Sequence, residues 1–253
     1  MGKIISIANQ KGGVGKTTTA INLAAYIANY SYRVLLIDID PQGNATSGVG
    51  INYRKPKYSS YNLLTEQLSA EKAIITTEFR NLDIIPANIE LAGAEIELAL
   101  IDERERVLQN ALRPIQNKYD YIFIDCPPSL GLITVNALTA SHSIIIPLQC
   151  EYYALEGLSQ LLDTIKLVRK RLNKDLKIEG ILFTMFDGRT NLAIQVVDEV
   201  KKHFAREVYK TIIPRNVRLS EAPSHGKPIL YYDDKSKGAG VYKELAMEVL
   251  QRG

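Results

Sequence analysis

The segment Lys11-Gly12-Gly13-Val14-Gly15-Lys16-Thr17-Thr18 constrains this chain more than any other. It follows an apolar, β-branched run at residues 4–8 and precedes a stretch with helical periodicity, which is the strand, glycine loop, helix order of a phosphate-binding loop. It fits G-x-x-x-x-G-K-[ST] only if Gln10 stands in for the first glycine. The physics survives that departure. Glycines let backbone N–H groups converge on phosphate oxygens, and the following helix presents the positive end of its dipole. Lys16 is placed to reach the β- and γ-phosphates of a nucleotide. Thr17 can give its hydroxyl to a magnesium ion bridging those phosphates. Gly12, Gly13, Val14, Gly15 and Thr18 complete the loop. The alternative, a glycine-rich turn with an incidental lysine, does not account for the agreement of strand, loop and helix.

Short β-rich apolar runs recur at residues 4–8, 34–37, 82–86, 121–124, 143–147 and 178–184, separated by longer helix-patterned segments. That alternation specifies a mostly parallel sheet with helices on both faces, a doubly wound α/β fold of the P-loop NTPase type. With 253 residues, 46% of them hydrophobic, and no linker-like or repetitive stretch, a single domain spanning residues 1–253 is expected. Cys126 and Cys150 lack the spacing of a zinc site or disulfide framework, which suits a reducing cytoplasm. No leader or membrane-spanning pattern is present. Met1-Gly2-Lys3-Ile4-Ile5-Ser6 matches a loose myristoylation pattern, but the same residues open an apolar strand that a central sheet would bury. Net charge is +3. Residues 1–150 carry 13 basic and 14 acidic side chains, and residues 151–253 carry 18 and 14, so the basic excess is C-terminal and compatible with an anionic partner.

Ligands in such sheets bind beyond the carboxyl ends of the strands. The second run ends in Asp38-Ile39-Asp40-Pro41-Gln42-Gly43-Asn44, where alternation puts Asp38 and Asp40 on one side, both able to face phosphates. Asp40 is expected to take part in the chemistry, since a carboxylate near a γ-phosphate can orient the attacking water and one further back can hold magnesium-bound water. Asp38 either takes part in the chemistry or caps the next turn. A third run ends in Asp125-Cys126-Pro127-Pro128-Ser129, as a Walker B element does, placing Asp125 behind the magnesium, directly or through water. Cys126 reads as a small buried residue.

These elements, with the extra Lys11 opening the loop, resemble the ParA/MinD group of deviant Walker A ATPases. The segments 120–131, 151–157 and 214–224 resemble the ParA/Soj chromosome-partitioning branch, so the likeness runs almost from end to end. The resemblance implies that ATP with Mg2+ closes a homodimer, and that Lys11 reaches phosphate bound by the other subunit. It gives Asp40 the water-orienting role and puts Pro214 and Asn216 near the adenine. It also implies sequence-independent binding of duplex DNA by the dimer, through Arg189 first, then Arg218, with Lys227 and Lys237 as further candidates. Each of these four can instead be an ordinary surface charge, a reading that suits Lys227 and Lys237 better than the two arginines. A ParB/Spo0J-type centromere-binding protein is the implied stimulator of hydrolysis, and the implied location is cytoplasmic and nucleoid-associated.

The rival reading is a MinD-like division-site ATPase bound to membrane through a C-terminal amphipathic helix. Residues 242–253 are short and mixed in charge, which favours packing on the core and no stable membrane association. A metallocluster carrier would need cysteines with ligand spacing, which Cys126 and Cys150 do not offer. No acceptor site for a small-molecule kinase is legible.

Overall fold

The computed structural model describes residues 2–52, 56–151 and 154–252. Met1 of the myristoylation pattern, Tyr152 and Tyr153 of the family-like segment, and Gly253 lie outside the described residues.

Seven strands form one sheet: β1 (Lys3–Ile7), β2 (Val34–Asp38), β3 (Ile75–Thr76), β4 (Leu82–Ile85), β5 (Tyr121–Asp125), β6 (Ser143–Gln149) and β7 (Lys177–Thr184). Their order is β3-β4-β2-β5-β1-β6-β7, and every pairing is parallel except that of β3 with β4. The six apolar runs of the sequence become the six parallel strands. β3 was not legible, because two residues carry no periodicity.

Alternate residues of each strand feed opposite faces, as a sheet covered on both sides demands. Leu35, Ile37, Ile122 and Ile124 enter one apolar core, whereas Val34, Leu36 and Phe123 enter the other. Six helices of eight or more residues occur among the described residues: α1 (Lys16–Asn29), α2 (Leu91–Leu98), α3 (Leu132–Ala140), α4 (Ala154–Arg171), α5 (Asn191–Phe204) and α6 (Lys237–Arg252). α1 and α6 cover the Phe123 face; α2, α3, α4 and α5 cover the Ile122 face. Phe123 is fully buried, so Phe123→Ala would cost about 3–5 kcal/mol.

The last helix turns Tyr242, Leu245, Ala246 and Val249 onto the core. No helix among the described residues is long and apolar enough to cross a membrane.

β1 lies between β5 and β6, so connections leave it toward both halves of the sheet. This is the switch point at which a doubly wound sheet opens a crevice, and the glycine loop sits there. Register does the rest. Ile7 aligns with Asp125, and Asp38 aligns with Asp125 from the other side, which sets two carboxylates at neighbouring strand ends beside the loop.

Candidate functional site

The loop turns on Gly13 (φ 73°) and Gly15 (φ 82°), both left-handed, where a side chain would be strained. Gly15 is the N-cap of α1 and no side chain caps that helix end, so its first N–H groups are available to an anion. Thr184, at the end of β7, donates its hydroxyl to the Val14 carbonyl at 2.8 Å and fixes the loop from the far side. Lys16 is buried, with its ammonium donating to the Lys11 carbonyl at 3.0 Å. Burial pulls its pKa down, against the pull of Asp125. A cation held against its own loop's carbonyl is poised for a stronger acceptor, and a nucleotide phosphate is one.

Asp125 is fully buried, and neither carboxylate oxygen accepts a hydrogen bond. Burial drives its pKa well above the usual carboxylate range and the charge on Asp38 adds to the rise; the nearby Thr17 hydroxyl opposes it without completing a hydrogen bond. An orphaned buried carboxylate is costly unless something outside the chain satisfies it. A hydroxyl, a carboxylate and phosphate oxygens are the hard oxygen donors that Mg2+ takes, usually with water retained, so Thr17 and Asp125 fit that ion.

Asp38 differs from what strand alternation allowed. Its carboxylate accepts the Thr46 N–H at 2.8 Å, the Thr46 hydroxyl at 2.7 Å and the Asp40 N–H at 3.1 Å. It is therefore engaged in holding the loop and the short helix Asn44–Gly48, the capping arrangement that the sequence allowed beside a part in the chemistry. Burial raises its pKa to about 6, with the Thr46 bonds opposing. Asp40 lies two residues beyond the strand end. One of its oxygens accepts the Gln42 N–H at 2.9 Å, and the other accepts no hydrogen bond from the described residues. Of the two aspartates, Asp40 is the one that keeps a carboxylate oxygen with no hydrogen bond from the described residues.

Next to the loop opens a cavity of about 350 Å³, lined on one side by Gly15 and Thr18 and on the other by Pro214, Asn216 and Tyr242. Pro214 and Asn216 are thus brought to the phosphate loop. The Asn216 side-chain Oδ1 caps the short helix Val217–Glu221 by accepting the Leu219 N–H at 3.3 Å. Sequence reasoning missed Thr184, Met185 and Tyr242. Thr184 ends an apolar strand run and Met185 follows it directly, which is where such sheets place ligands. Met185 has φ 48°, a strained value for a long side chain.

Lys11 does not fold onto its own loop as Lys16 does. Its ammonium pairs with Glu151, two residues beyond β6, and remains about one-third exposed at the mouth of the site. Of the basic candidates, Arg189 stands 90% exposed on the loop after β7 and is clasped by Asp187 through bonds of 2.6 and 2.8 Å. Arg218 pairs with Glu221 at 2.9 Å and Asp233 at 3.4 Å. Lys227 and Lys237 are exposed. The segments bearing Arg189, Arg218 and Lys237 converge: Phe186 bridges to Pro214, and Gly238 abuts Leu219 and Asn216. Lys227 follows Gly226, which packs against Gly50, and its N–H donates to the Ala222 carbonyl at 3.2 Å.

A family model described as an AAA domain matches residues 2–178. The sporulation initiation inhibitor protein Soj of Bacillus subtilis (strain 168) is 63% identical over 253 residues, covering 100% of both chains. The chain belongs to the ParA/Soj family. The chromosome partitioning protein ParA of Myxococcus xanthus is 58% identical over 252 residues, covering 100% of this chain and 89% of that one. Among solved structures, one described as cobyrinic acid a,c-diamide synthase from Mycobacterium smegmatis, with bound ADP and magnesium, superposes with a TM-score of 0.87 at 39% identity, covering 99% of this chain and 95% of that one. As a ParA/Soj-family member, the chain is an ATP-hydrolysing P-loop enzyme of the partitioning class.

Proposed function

We propose that this chain is a single-domain DNA-partitioning ATPase that binds ATP with Mg2+, closes as a homodimer around two nucleotides, holds duplex DNA without sequence preference in that state, and lets go on hydrolysis. The observation that carries the reading is the division of labour between the two loop lysines. Lys16 is buried where a nucleotide's own phosphates would lie, whereas Lys11 is held at the rim by a partly exposed ion pair. A cation at the rim is available to phosphate presented by a second subunit, and there it offsets the repulsion of two nucleotides brought face to face.

When bound, Mg2+ neutralises charge developing on the phosphates; Thr17 and Asp125 are the residues to hold it, Asp125 possessing two unpartnered oxygens for the ion or its water. The loop N–H groups from Gly12 to Thr18 and the Lys16 ammonium bind and orient the phosphates. Asp40 accepts a proton or hydrogen bond from the attacking water at its free oxygen and aligns that water in line with the leaving group. Pro214 and Asn216 bound the base. Arg189 and Arg218 contact DNA phosphates, with Lys227 and Lys237 adding charge, and pairing two such patches in a dimer makes DNA binding depend on ATP and fall steeply with salt. A ParB/Spo0J-type centromere-binding protein accelerates hydrolysis, and the ATPase resides in the cytoplasm on the nucleoid.

The test is binding to random-sequence duplex DNA with ADP and with ATP, across a salt series, for wild type, Asp40→Ala and Arg189→Ala. Salt-sensitive binding that needs ATP, persists in Asp40→Ala and disappears in Arg189→Ala while dimerisation survives is the expected result. Absence of DNA binding by every variant in either nucleotide would leave an ATPase without this cargo.

A further inference from the structure

The segment around α2 is apolar on two opposite sides. Leu91, Ala94 and Leu98 face the core and are buried. Helical hydrogen bonding continues beyond both ends of the helix, from Leu91, Ala92 and Gly93 back to Asn88, Ile89 and Glu90, and from Ala99, Leu100 and Ile101 back to Glu95, Glu97 and Leu98. At the angular spacing of a helix, Ile89, Gly93, Ile96 and Leu100 therefore form a second stripe on the outer side. Ile89 is 65%, Ile96 76% and Leu100 86% exposed, and a Cβ added at Gly93 would meet nothing within 4 Å, so the stripe is open along its whole length. Three large aliphatic side chains in a row at such exposure mark a contact surface.

Charge says what covers it. Residues 88–103 contain five acidic side chains, Glu90, Glu95, Glu97, Asp102 and Glu103, and no Lys or Arg. Glu90 and Glu97 lie along one edge of the stripe. A symmetric contact with a second copy would set this carboxylate edge against itself, which disfavours self-association. A helix with apolar residues at matching spacing and Lys or Arg on its flank would complement both the stripe and its edge.

The segment is also wired to the nucleotide end. Its entry is tied to the Asp38 site, for the Ala87 N–H donates to the Thr46 hydroxyl at 2.9 Å, and that hydroxyl donates to Asp38. On the stripe's other side, Glu95 fills the space a Cβ would need at Gly131 and accepts the Ile133 N–H at 3.4 Å, at the start of α3 and just beyond the Asp125 loop.

We propose that the stripe Ile89–Gly93–Ile96–Leu100 is the docking surface for a basic amphipathic helix of a protein partner, and that Glu95 is the positioning residue through which docking acts on the loop following Asp125. This rests on the reading of the chain as a partner-stimulated ATPase. Docking pulls on the Glu95 contact with Gly131 and Ile133, and that contact fixes how the loop from Asp125 enters α3.

Two arms test it on the full chain. In the first, fluorescence anisotropy follows a labelled amphipathic Leu/Lys helical peptide, and its Leu/Glu counterpart, added to wild type, Ile96→Asp and Leu100→Asp. Because both side chains are exposed, the variants fold. The expected result is preference of wild type for the Lys peptide and about a tenfold loss in each variant. In the second, ATP turnover with DNA is measured with and without a purified ParB/Spo0J-type protein from the same cell. Ile96→Asp and Leu100→Asp should keep unstimulated turnover and ATP-driven dimerisation but lose stimulation. Glu95→Gln should keep peptide affinity and lose most of the stimulation, a split that a merely structural glutamate would not give.

Equal peptide binding by wild type and variants overturns the surface, as does stimulation unchanged in the variants. Loss of dimerisation in Ile96→Asp would make the stripe a self-contact instead. If the ParB/Spo0J-type protein fails to stimulate wild type, the partner reading falls by itself and the peptide arm still decides the surface.

Discussion

Lys11 and Glu151 form an ion pair across 140 residues of sequence, and the second Glu151 oxygen accepts from the Gln149 amide. The pair competes with any role of Lys11 at a second subunit, since one ammonium cannot serve both. Both side chains are partly exposed, so the pair contributes only about 0.2–1 kcal/mol. Glu151→Gln should therefore lower the ATP concentration for half-maximal dimerisation by up to about fivefold, measured by light scattering. Lys11→Ala should remain monomeric at every ATP concentration. An unchanged midpoint in Glu151→Gln would mean that the pair places no restraint on dimerisation.

The buried carboxylate of Asp125 opposes folding in the absence of nucleotide. Asp125→Asn removes the charge while keeping the shape, so the nucleotide-free variant should be more stable than wild type at neutral pH by about 1–3 kcal/mol. For a chain of this size that is a Tm rise of about 2–4 °C per kcal/mol. The same variant should lose ATP turnover by about a hundredfold or more and show no added thermal stabilisation when Mg2+ joins ATP. Calorimetry with and without Mg-ATP reads both effects.

The fold was legible because each of the six parallel strands is buried on both faces, which forces continuous apolar runs. β3 escaped notice because Ile75 and Thr76 are only a pendant to β4. The phosphate loop and the Asp125 position were readable for a local reason: the loop follows β1 and Asp125 closes β5, so each lies at the carboxyl end of a strand. The division between Asp38 and Asp40 was not, because it depends on Thr46, which the chain brings back only through the short helix Asn44–Gly48. Met185 and Tyr242 were hidden for a stronger version of the same reason, their cavity being assembled from segments far apart in sequence. Glu151 has no local signal for Lys11.

His142 ties β1 to the end of α3 and is sensitive to acid. Its Nδ1 accepts the Ile4 N–H at 2.8 Å, so the bond needs the neutral ring, and Nε2 faces the Gln116 amide. Burial lowers its pKa, and the Lys3 charge adds to the lowering. The folded protein thus gives up this proton more readily than the unfolded chain, whose histidines titrate near pH 6.5. Stability from this site is complete above that value and is lost as pH falls through the lower, folded pKa. Thermal melts between about pH 7 and pH 5 should therefore fall more steeply for wild type than for His142→Gln, whose amide can accept the same N–H without titrating. Parallel curves would remove His142 from the acid response.

Asp187 holds Arg189 with two charge-assisted bonds, and Arg189 in turn draws the Asp187 pKa down to about 2. The carboxylate is therefore charged at any pH of DNA binding and competes with a DNA phosphate for the same guanidinium. Asp187→Asn keeps the loop's size and removes the competitor, so ATP-dependent affinity for duplex DNA should rise several-fold at low salt. Arg189→Ala should lower the slope of log affinity against log salt by about one per arginine removed, hence about two per dimer, while leaving ATP-driven dimerisation intact. If both variants bind DNA with the wild-type affinity and slope, Arg189 and Asp187 are an ordinary surface pair and the DNA face lies elsewhere.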